Sequence, residues 1–270
     1  MPHRFAVLLA AAGKSRRFAD GGPNVDNAGG NNDTASKKPF VDLCGRPVWQ
    51  HGAALFAAED RVRQLIVVLS PEDRAFFERT YSRQIAQWSL ELADGGAERF
   101  ESIENGLRRV RSDMDFVAIH DAARPCVSAQ QIDAVFRAAE QFDAAILAAP
   151  LAGTIKRAVS PNAPAPGATS AETSTGASPL YPTTLFDIAA TVPRDDLWEA
   201  QTPQVFRREL IVDALSRRGH TNVTDDAQLV ENIGHPVKIV PSDRTNLKIT
   251  TASDLALARL LMVNRPERNT

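Results

Sequence analysis

The chain has 270 residues, 43% of them hydrophobic and 24% charged, with a formal net charge of −2. That length can bury a substantial core in one domain or two small ones, and the composition is ordinary for a globular protein. No basic excess points to nucleic acid or a lipid surface, and no apolar run approaches the roughly 20 residues of a membrane span.

The N-terminal segment "MPHRFAVLLAAAG" places a basic residue before an apolar run, as a cleaved leader does. The run is short, however, and Gly-Lys-Ser-Arg-Arg follows directly, so a cytoplasmic protein is expected. Phe5–Leu9 reads as a buried strand leading into three alanines and Gly13-Lys14-Ser15. A Walker-type phosphate loop needs a glycine five positions before Gly-Lys-Ser, and Leu8 occupies that place. The stretch is therefore a small-residue turn at a strand end. There, phosphates can approach backbone N–H groups, and Arg16 and Arg17 follow.

Ala19–Ser36 is mostly Gly, Asn and Asp, and is expected to be a mobile insertion without a core. After it, Lys38 precedes Pro39 and an apolar segment, and Gly45-Arg46-Pro47 turns the chain into a helix over Val48–Ala58. Leu65–Leu69 reads as a strand, Ile103–Val110 as a helix and Phe116–Ile119 as a strand. The last of these runs into "HDAARP". A carboxylate at a strand's end, Asp121, can hold Mg²⁺ or a ribose hydroxyl, and Arg124 can pair with phosphate. His120 reads more readily as a core histidine than as a functional one.

Gln131–Glu140 has helical spacing, and Ala145–Ala149 and Val237–Val240 are strand-like. Between these strands, Ser160–Thr183 is rich in Pro, Ala, Ser and Thr and reads as a second mobile insertion. Thr251 with Asp254 forms a capping-box pattern before "LALARLLM". Strands alternating with helices predict parallel βαβ units in an α/β fold. The two cysteines, Cys44 and Cys126, make neither a metal-ligand cluster nor a disulfide framework.

The motifs "AAAGKSRRF", "KKPFVDL", "GGAERFESI", "HDAARP", "GTIKR", "RDDLWEAQTPQVF", "TDDAQLVE" and "NLKITTASDLALA" follow one another in a single order. In that order the chain resembles the 2-C-methyl-D-erythritol 4-phosphate cytidylyltransferase family, from about Phe5 to Met262 with the two insertions interrupting. The resemblance implies one Rossmann-like cytidylyltransferase domain over residues 1–270. Its β-arm, at about 151–194, would protrude and pair two subunits in a homodimer. It also implies transfer of CMP from CTP to methylerythritol phosphate, with Mg²⁺ and release of pyrophosphate. A related activity on ribitol 5-phosphate or a similar polyol phosphate would use nearly the same residues.

Residue by residue, the resemblance puts Ala10, Ala11, Ala12 and Gly13 along the nucleotide. Arg17 and Lys38 would act on the charge developing at the α-phosphate. Gly95, Gly96 and Ser102 would border the cytosine. Asp121 and Arg124 would lie near ribose, metal and substrate, with Asp121 as the metal ligand. Thr154 and Arg194 would reach from the arm to the partner's acceptor, and Thr224 and Lys248 would complete the substrate contacts. Four positions depart from the family's usual pattern: Ala10, Ser15, Ala97 and Gly153, the last two bearing on base contacts and arm geometry.

The chemistry agrees with this set. One phosphate attacking another sets anion against anion, so convergent cations are required. A phosphate monoester, with a second pKa of about 6, is already ionised near neutral pH and needs no general base. A non-catalytic CTP-binding module would have little use for Arg17, Lys38, Arg194 and Lys248 together.

Overall fold

The computed structural model describes residues 2–13, 37–159, 185–219 and 223–264. Arg17 and both expected insertions, 19–36 and 160–183, lie outside the described residues. The chain forms two compact units, one of Met1–Ala149 with Ala200–Thr270 and one of Pro150–Glu199.

In chain order the elements begin with β1 (Phe5–Ala10), β2 (Asp42–Leu43), β3 (Arg46–Pro47), α1 (Val48–Ala57), β4 (Val62–Leu69), α2 (Pro71–Thr80) and α3 (Ser82–Trp88). Next come β5 (Glu91–Asp94), α4 (Arg99–Leu107), β6 (Phe116–Asp121), α5 (Ala129–Phe142) and β7 (Ala144–Pro150). Then follow β8 (Ile155–Val159), β9 (Asp187–Val192), β10 (Trp198–Arg207), α6 (Arg208–Ser216), α7 (Ala227–Asn232), β11 (Lys238–Pro241) and α8 (Ala252–Val263).

Seven strands make the main sheet in the order β11-β7-β10-β6-β1-β4-β5. β1 runs parallel to both β4 and β6, β5 parallel to β4, and β11 parallel to β7. β10 runs antiparallel to β6, an exception to the parallel arrangement expected from the sequence. The strand C-termini of β1, β4 and β6 thus share one edge, where open α/β sheets bind ligands.

Apolar residues run without a break along β1 because both faces of the sheet are covered. Phe5, Val7 and Leu9 join one core cluster, with Trp49 and Phe56 of α1 and Phe136 of α5. Leu8 points the other way, into a second cluster with Ile103 of α4, Ile211 of α6 and Leu229 of α7. The period of two along a strand makes this division. Phe5 stacks between Phe116 and Phe136, with centroid separations of 5.0 and 4.1 Å.

Helix starts follow side-chain chemistry. α4 begins a turn before the expected Ile103, because Glu98 and Glu101 form a capping box. Ser128 and Gln131 do the same for α5, and Thr251 and Asp254 for α8 as expected.

The second unit contains a two-stranded antiparallel sheet in which Ile155 pairs with Val192 and Lys156 with Thr191. Lys156 Nζ donates to Thr191 Oγ1 at 2.6 Å. The Leu151 N–H donates to the Leu197 carbonyl at 3.0 Å, closing the base of this unit.

Candidate functional site

At the C-terminal edge of the main sheet lies a cleft of about 430 Å³. It is lined by Ala10 to Gly13, the Gly96–Arg99 turn, Ser102, Lys38, Asp121 and Lys248, among others. β1 delivers the alanines: the Ala11 N–H donates to the Val68 carbonyl, and the Ala10 carbonyl accepts from the Ala122 N–H. The turn after β1 is thereby fixed between β4 and β6.

The opposite wall requires glycine for a packing reason. A Cβ on Gly95 would lie 2.5 Å from the Ala12 Cβ and 3.2 Å from the Leu69 carbonyl oxygen. A Cβ on Gly96 would overlap the Glu101 Cβ. Ser102 Oγ accepts from the Gly96 N–H at 3.0 Å and donates to the Glu98 carbonyl at 3.1 Å. Ser102 therefore shapes this glycine turn while also facing the cleft.

The floor is a lattice of charges. Lys248 Nζ stands 2.7 Å from Asp121 Oδ2, and an Arg99 nitrogen lies 3.8 Å from Oδ1. Burial works to raise the Asp121 pKa, but Lys248, Arg99 and Arg124 outweigh it and hold the carboxyl at about 2. Arg99 donates two hydrogen bonds to Asp226, at 2.9 and 2.7 Å. Burial opposes the Arg99 charge, yet the carboxylates of Asp226 and Asp121 raise its pKa. Burial pushes the Asp226 carboxyl up, and Arg99 opposes that shift.

Arg124 is buried and does not line the cleft. It donates to the carbonyls of Asn246, at 2.7 Å, and Ala200, at 3.5 Å, and its Nε lies 3.7 Å from Asp121 Oδ2. Asn246 in turn donates to Gln201 Oε1 and the Thr202 carbonyl, each at 3.0 Å. The pair ties the segment "NLKIT" under the cleft and sets Lys248 against Asp121. The phosphate-facing place expected for Arg124 is thus taken, in this structure, by two backbone carbonyls.

His120 is buried, as a core histidine. The Thr202 hydroxyl accepts from the Asp121 N–H at 3.0 Å and so turns its own proton toward His120 Nδ1, 3.2 Å away. Nε2 then donates to the Arg124 carbonyl at 3.1 Å. Burial lowers the His120 pKa to about 4, so the ring is neutral and braces the loop after β6.

The structure brings together in one cleft Ala10, Ala11, Ala12, Gly13, Gly96, Ser102, Lys38, Asp121 and Lys248. Gly95 supports that wall from behind. Thr224 is exposed, and its N–H and hydroxyl both donate to Gln228 Oε1, at 2.8 and 3.3 Å. Thr154 and Arg194 belong to the second unit, where both are exposed and Arg194 donates to the Ala152 carbonyl. Arg17 lies outside the described residues.

The sequence reading missed Arg99 and Asp226. The available signal was Arg99 three residues before Ser102, a spacing that puts both on one helix face. Among the described residues no group of three His, Cys, Asp or Glu side chains converges to hold a metal alone. No helix among them is long and apolar enough to cross a membrane.

Comparison with known proteins points to one family. The family model described as IspD, 2-C-methyl-D-erythritol 4-phosphate cytidylyltransferase, matches residues 5–165 and 183–264. The chain is 37% identical to the 2-C-methyl-D-erythritol 4-phosphate cytidylyltransferase of Dechloromonas aromatica over 266 residues, covering 97% of this chain and 98% of that one. It is 35% identical to the Rhodopirellula baltica protein of the same name over 268 residues, covering 95% and 94%. A crystal structure of 4-diphosphocytidyl-2C-methyl-D-erythritol synthase superposes with a TM-score of 0.70 at 27% identity, over 97% of this chain and all 100% of that one. The 2-C-methyl-D-erythritol 4-phosphate cytidylyltransferase of Thermus thermophilus superposes with a TM-score of 0.66 at 26% identity, over 96% and 98%.

Proposed function

The chain belongs to the 2-C-methyl-D-erythritol 4-phosphate cytidylyltransferase family, and from that premise we propose how its cleft works. The enzyme forms CDP-methylerythritol for isoprenoid synthesis, transferring CMP from CTP to methylerythritol phosphate and releasing pyrophosphate. One observation carries the assignment of this reaction to the cleft. A small-residue turn, a glycine wall, the Asp121 carboxylate and the cations Lys38, Arg99 and Lys248 meet at the C-terminal edge of the sheet.

In our reading, the triphosphate lies along Ala10–Gly13 and the cytosine enters against Gly95, Gly96 and Ser102. The close approach of Gly95 to Ala12 leaves the backbone, not a side chain, facing the base. The family's usual acidic residue there is Ala97, so backbone groups carry more of the base contact. An oxygen of the acceptor phosphate attacks the α-phosphorus, and the bond to the β-phosphate oxygen breaks in line with it. Lys38, and Arg17 as the resemblance assigns it, offset the charge that builds on the α-phosphate. Lys248 and Arg99 hold the acceptor phosphate beside Asp121, and no side chain has to remove a proton.

A magnesium ion suits the donor set. Mg²⁺ in nucleotide sites uses one or two carboxylates and takes its other ligands from phosphate oxygens and water. Asp121 is the carboxylate at the end of β6 that faces the cleft, ionised at any physiological pH. When bound there, the ion supplies charge neutralisation between the phosphates. We also place Thr154 and Arg194 against the acceptor bound in a partner subunit, which makes the working enzyme a homodimer. A cytoplasmic location fits a chain whose two cysteines, Cys44 and Cys126, make no disulfide framework.

The test follows pyrophosphate release from CTP with a panel of polyol phosphates. Methylerythritol phosphate is expected to support turnover far above ribitol 5-phosphate. Preference for ribitol 5-phosphate would reject the acceptor assignment while leaving the cytidylyl chemistry intact.

A further inference from the structure

Lys38 enters the cleft from a short segment whose neighbours are unusually well anchored. One position before it, Lys37 Nζ lies 2.7 Å from Asp73 Oδ1 and 3.3 Å from Glu72 Oε1. The Asp73 side chain is only 1% exposed. Its other oxygen accepts from the Ser70 hydroxyl at 2.5 Å, and its N–H donates to the Ser70 carbonyl at 2.9 Å. Ser70 follows Leu69, the last residue of β4, so Lys37 is tied to the same sheet edge that forms the cleft.

Two positions after Lys38, Phe40 is buried among Phe76, Phe77 and Tyr81, at ring separations of 5.6, 6.1 and 6.2 Å. The Phe40 N–H donates to the Lys37 carbonyl at 2.8 Å, closing a turn with Lys38 and Pro39 inside it. The Pro39 carbonyl accepts from the Trp49 N–H at 3.0 Å. One anchor is therefore ionic and on the N-terminal side; the other is aromatic and on the C-terminal side.

We propose that Lys37 is a positioning residue for the reaction, its ion pair with Asp73 fixing the turn that aims Lys38 at the nucleotide. This rests on the reading of Lys38 as the cation that acts on the α-phosphate. The bland alternative is a salt bridge that only steadies α2. The two differ in what is lost. A steadying bridge costs thermal stability and leaves the chemistry alone. A positioning pair costs turnover, because misplacement of a reacting group by about 1 Å can lower rate about a hundredfold.

Four variants decide it: Lys37→Met, Lys37→Arg, Asp73→Asn and Lys38→Ala, alone and combined, with kcat, the KM for CTP and the melting temperature measured for each. Lys37→Met is expected to lower kcat about tenfold or more with the KM for CTP changed less than about threefold, and Lys37→Arg to recover most of the loss. If Lys37→Met does not fold, Asp73→Asn, which keeps the shape of its site, must show the same split. In the Lys38→Ala background, Lys37→Met should cause less than about a twofold further loss, because the two act as a unit. An unchanged kcat in a folded Lys37→Met or Asp73→Asn protein overturns the proposal. So does an equal loss in both backgrounds, which would make Lys37 independent of Lys38. Near-normal turnover in Lys38→Ala alone instead removes the catalytic reading of Lys38, a result visible before any Lys37 variant is measured.

Discussion

The two units of the molecule treat their side chains in opposite ways. In the first, nearly all apolar residues of β1, β4 and β6 are buried, and the buried charges are interlocked. In the second, Leu185 is 87% exposed, Ile188 65% and Phe186 58%, in or just before the second strand of a two-stranded sheet. A two-stranded hairpin is marginal by itself. The first unit buries most of its apolar side chains, with exposed ones such as Leu260 and Val263 on α8. The second has almost no core of its own and presents apolar surface of the kind that partners cover. We read this as a division of labour: the first unit carries out the chemistry, and the second joins subunits and lends contacts to the acceptor.

The largest effect that could break this division is in the first unit. Lys38→Ala is expected to lower kcat about 10²- to 10³-fold, the usual cost of one transition-state contact, with the melting temperature preserved. Comparable loss from changes confined to the hairpin, with Lys38→Ala near normal, would reverse the assignment.

Arg194→Ala should act differently. It is expected to lower kcat/KM for methylerythritol phosphate by about tenfold to a hundredfold, the range for one hydrogen bond to a charged group, and to leave the KM for CTP alone. Steady-state kinetics with each substrate varied in turn would show the split. A matching rise in the KM for CTP would place Arg194 with the nucleotide instead.

Phe186→Ser tests what covers the hairpin. Loss of one buried aromatic side chain, about 1.5 to 3 kcal/mol, should weaken self-association about tenfold or more. Sedimentation at several protein concentrations would reveal it, and no change in association would mean that this apolar surface lies outside the dimer interface.

The smallest expected effect tests how far the first unit depends on satisfied polar groups. Asp254 accepts from the N–H groups of Thr250 and Thr251, each at 2.8 Å, and from the Thr250 hydroxyl at 2.6 Å. Partial burial opposes its charge, but these donors lower its pKa. A carboxylate with a depressed folded pKa contributes stability above its unfolded value of about 4, and loses it as pH falls further. Asp254→Ala should therefore cost about 1 kcal/mol at pH 7 and progressively less below pH 4, by denaturant titration. A pH-independent difference would show that packing, rather than the carboxylate, is responsible.

Much of the first unit could be read from the sequence, because parallel strands covered on both faces appear as unbroken apolar runs such as Phe5–Leu9 and Phe116–Ile119. β10 escaped that reading. Gln201, Thr202 and Gln204 are buried within it, so it looks polar. Their partners, including the Asp243 carbonyl, Asn246 and Asp225, lie far along the chain. The site divided along the same line. Asp121 was legible because it ends a strand and small residues follow. Arg99 was not, because its importance depends on Asp226, which lies 127 positions away. Arg124 was legible as a cation but not as a brace, since only the fold brings it to the carbonyl of Asn246.

The most direct test of the division of labour uses two impaired proteins, assayed at subsaturating methylerythritol phosphate, where both fall well below wild type. Lys38→Ala and Arg194→Ala subunits are unfolded and refolded together in equal amounts, or co-expressed, and mixed dimers are verified by tag. In a mixed dimer, one site carries both lesions. The other joins an intact Lys38 to its partner's intact Arg194. Random mixing makes about half the dimers mixed, so activity should return to roughly a quarter of wild type. Activity that stays at the level of the single mutants, with mixed dimers present, would contradict a site shared between subunits and return Arg194 to its own subunit's reaction or to none.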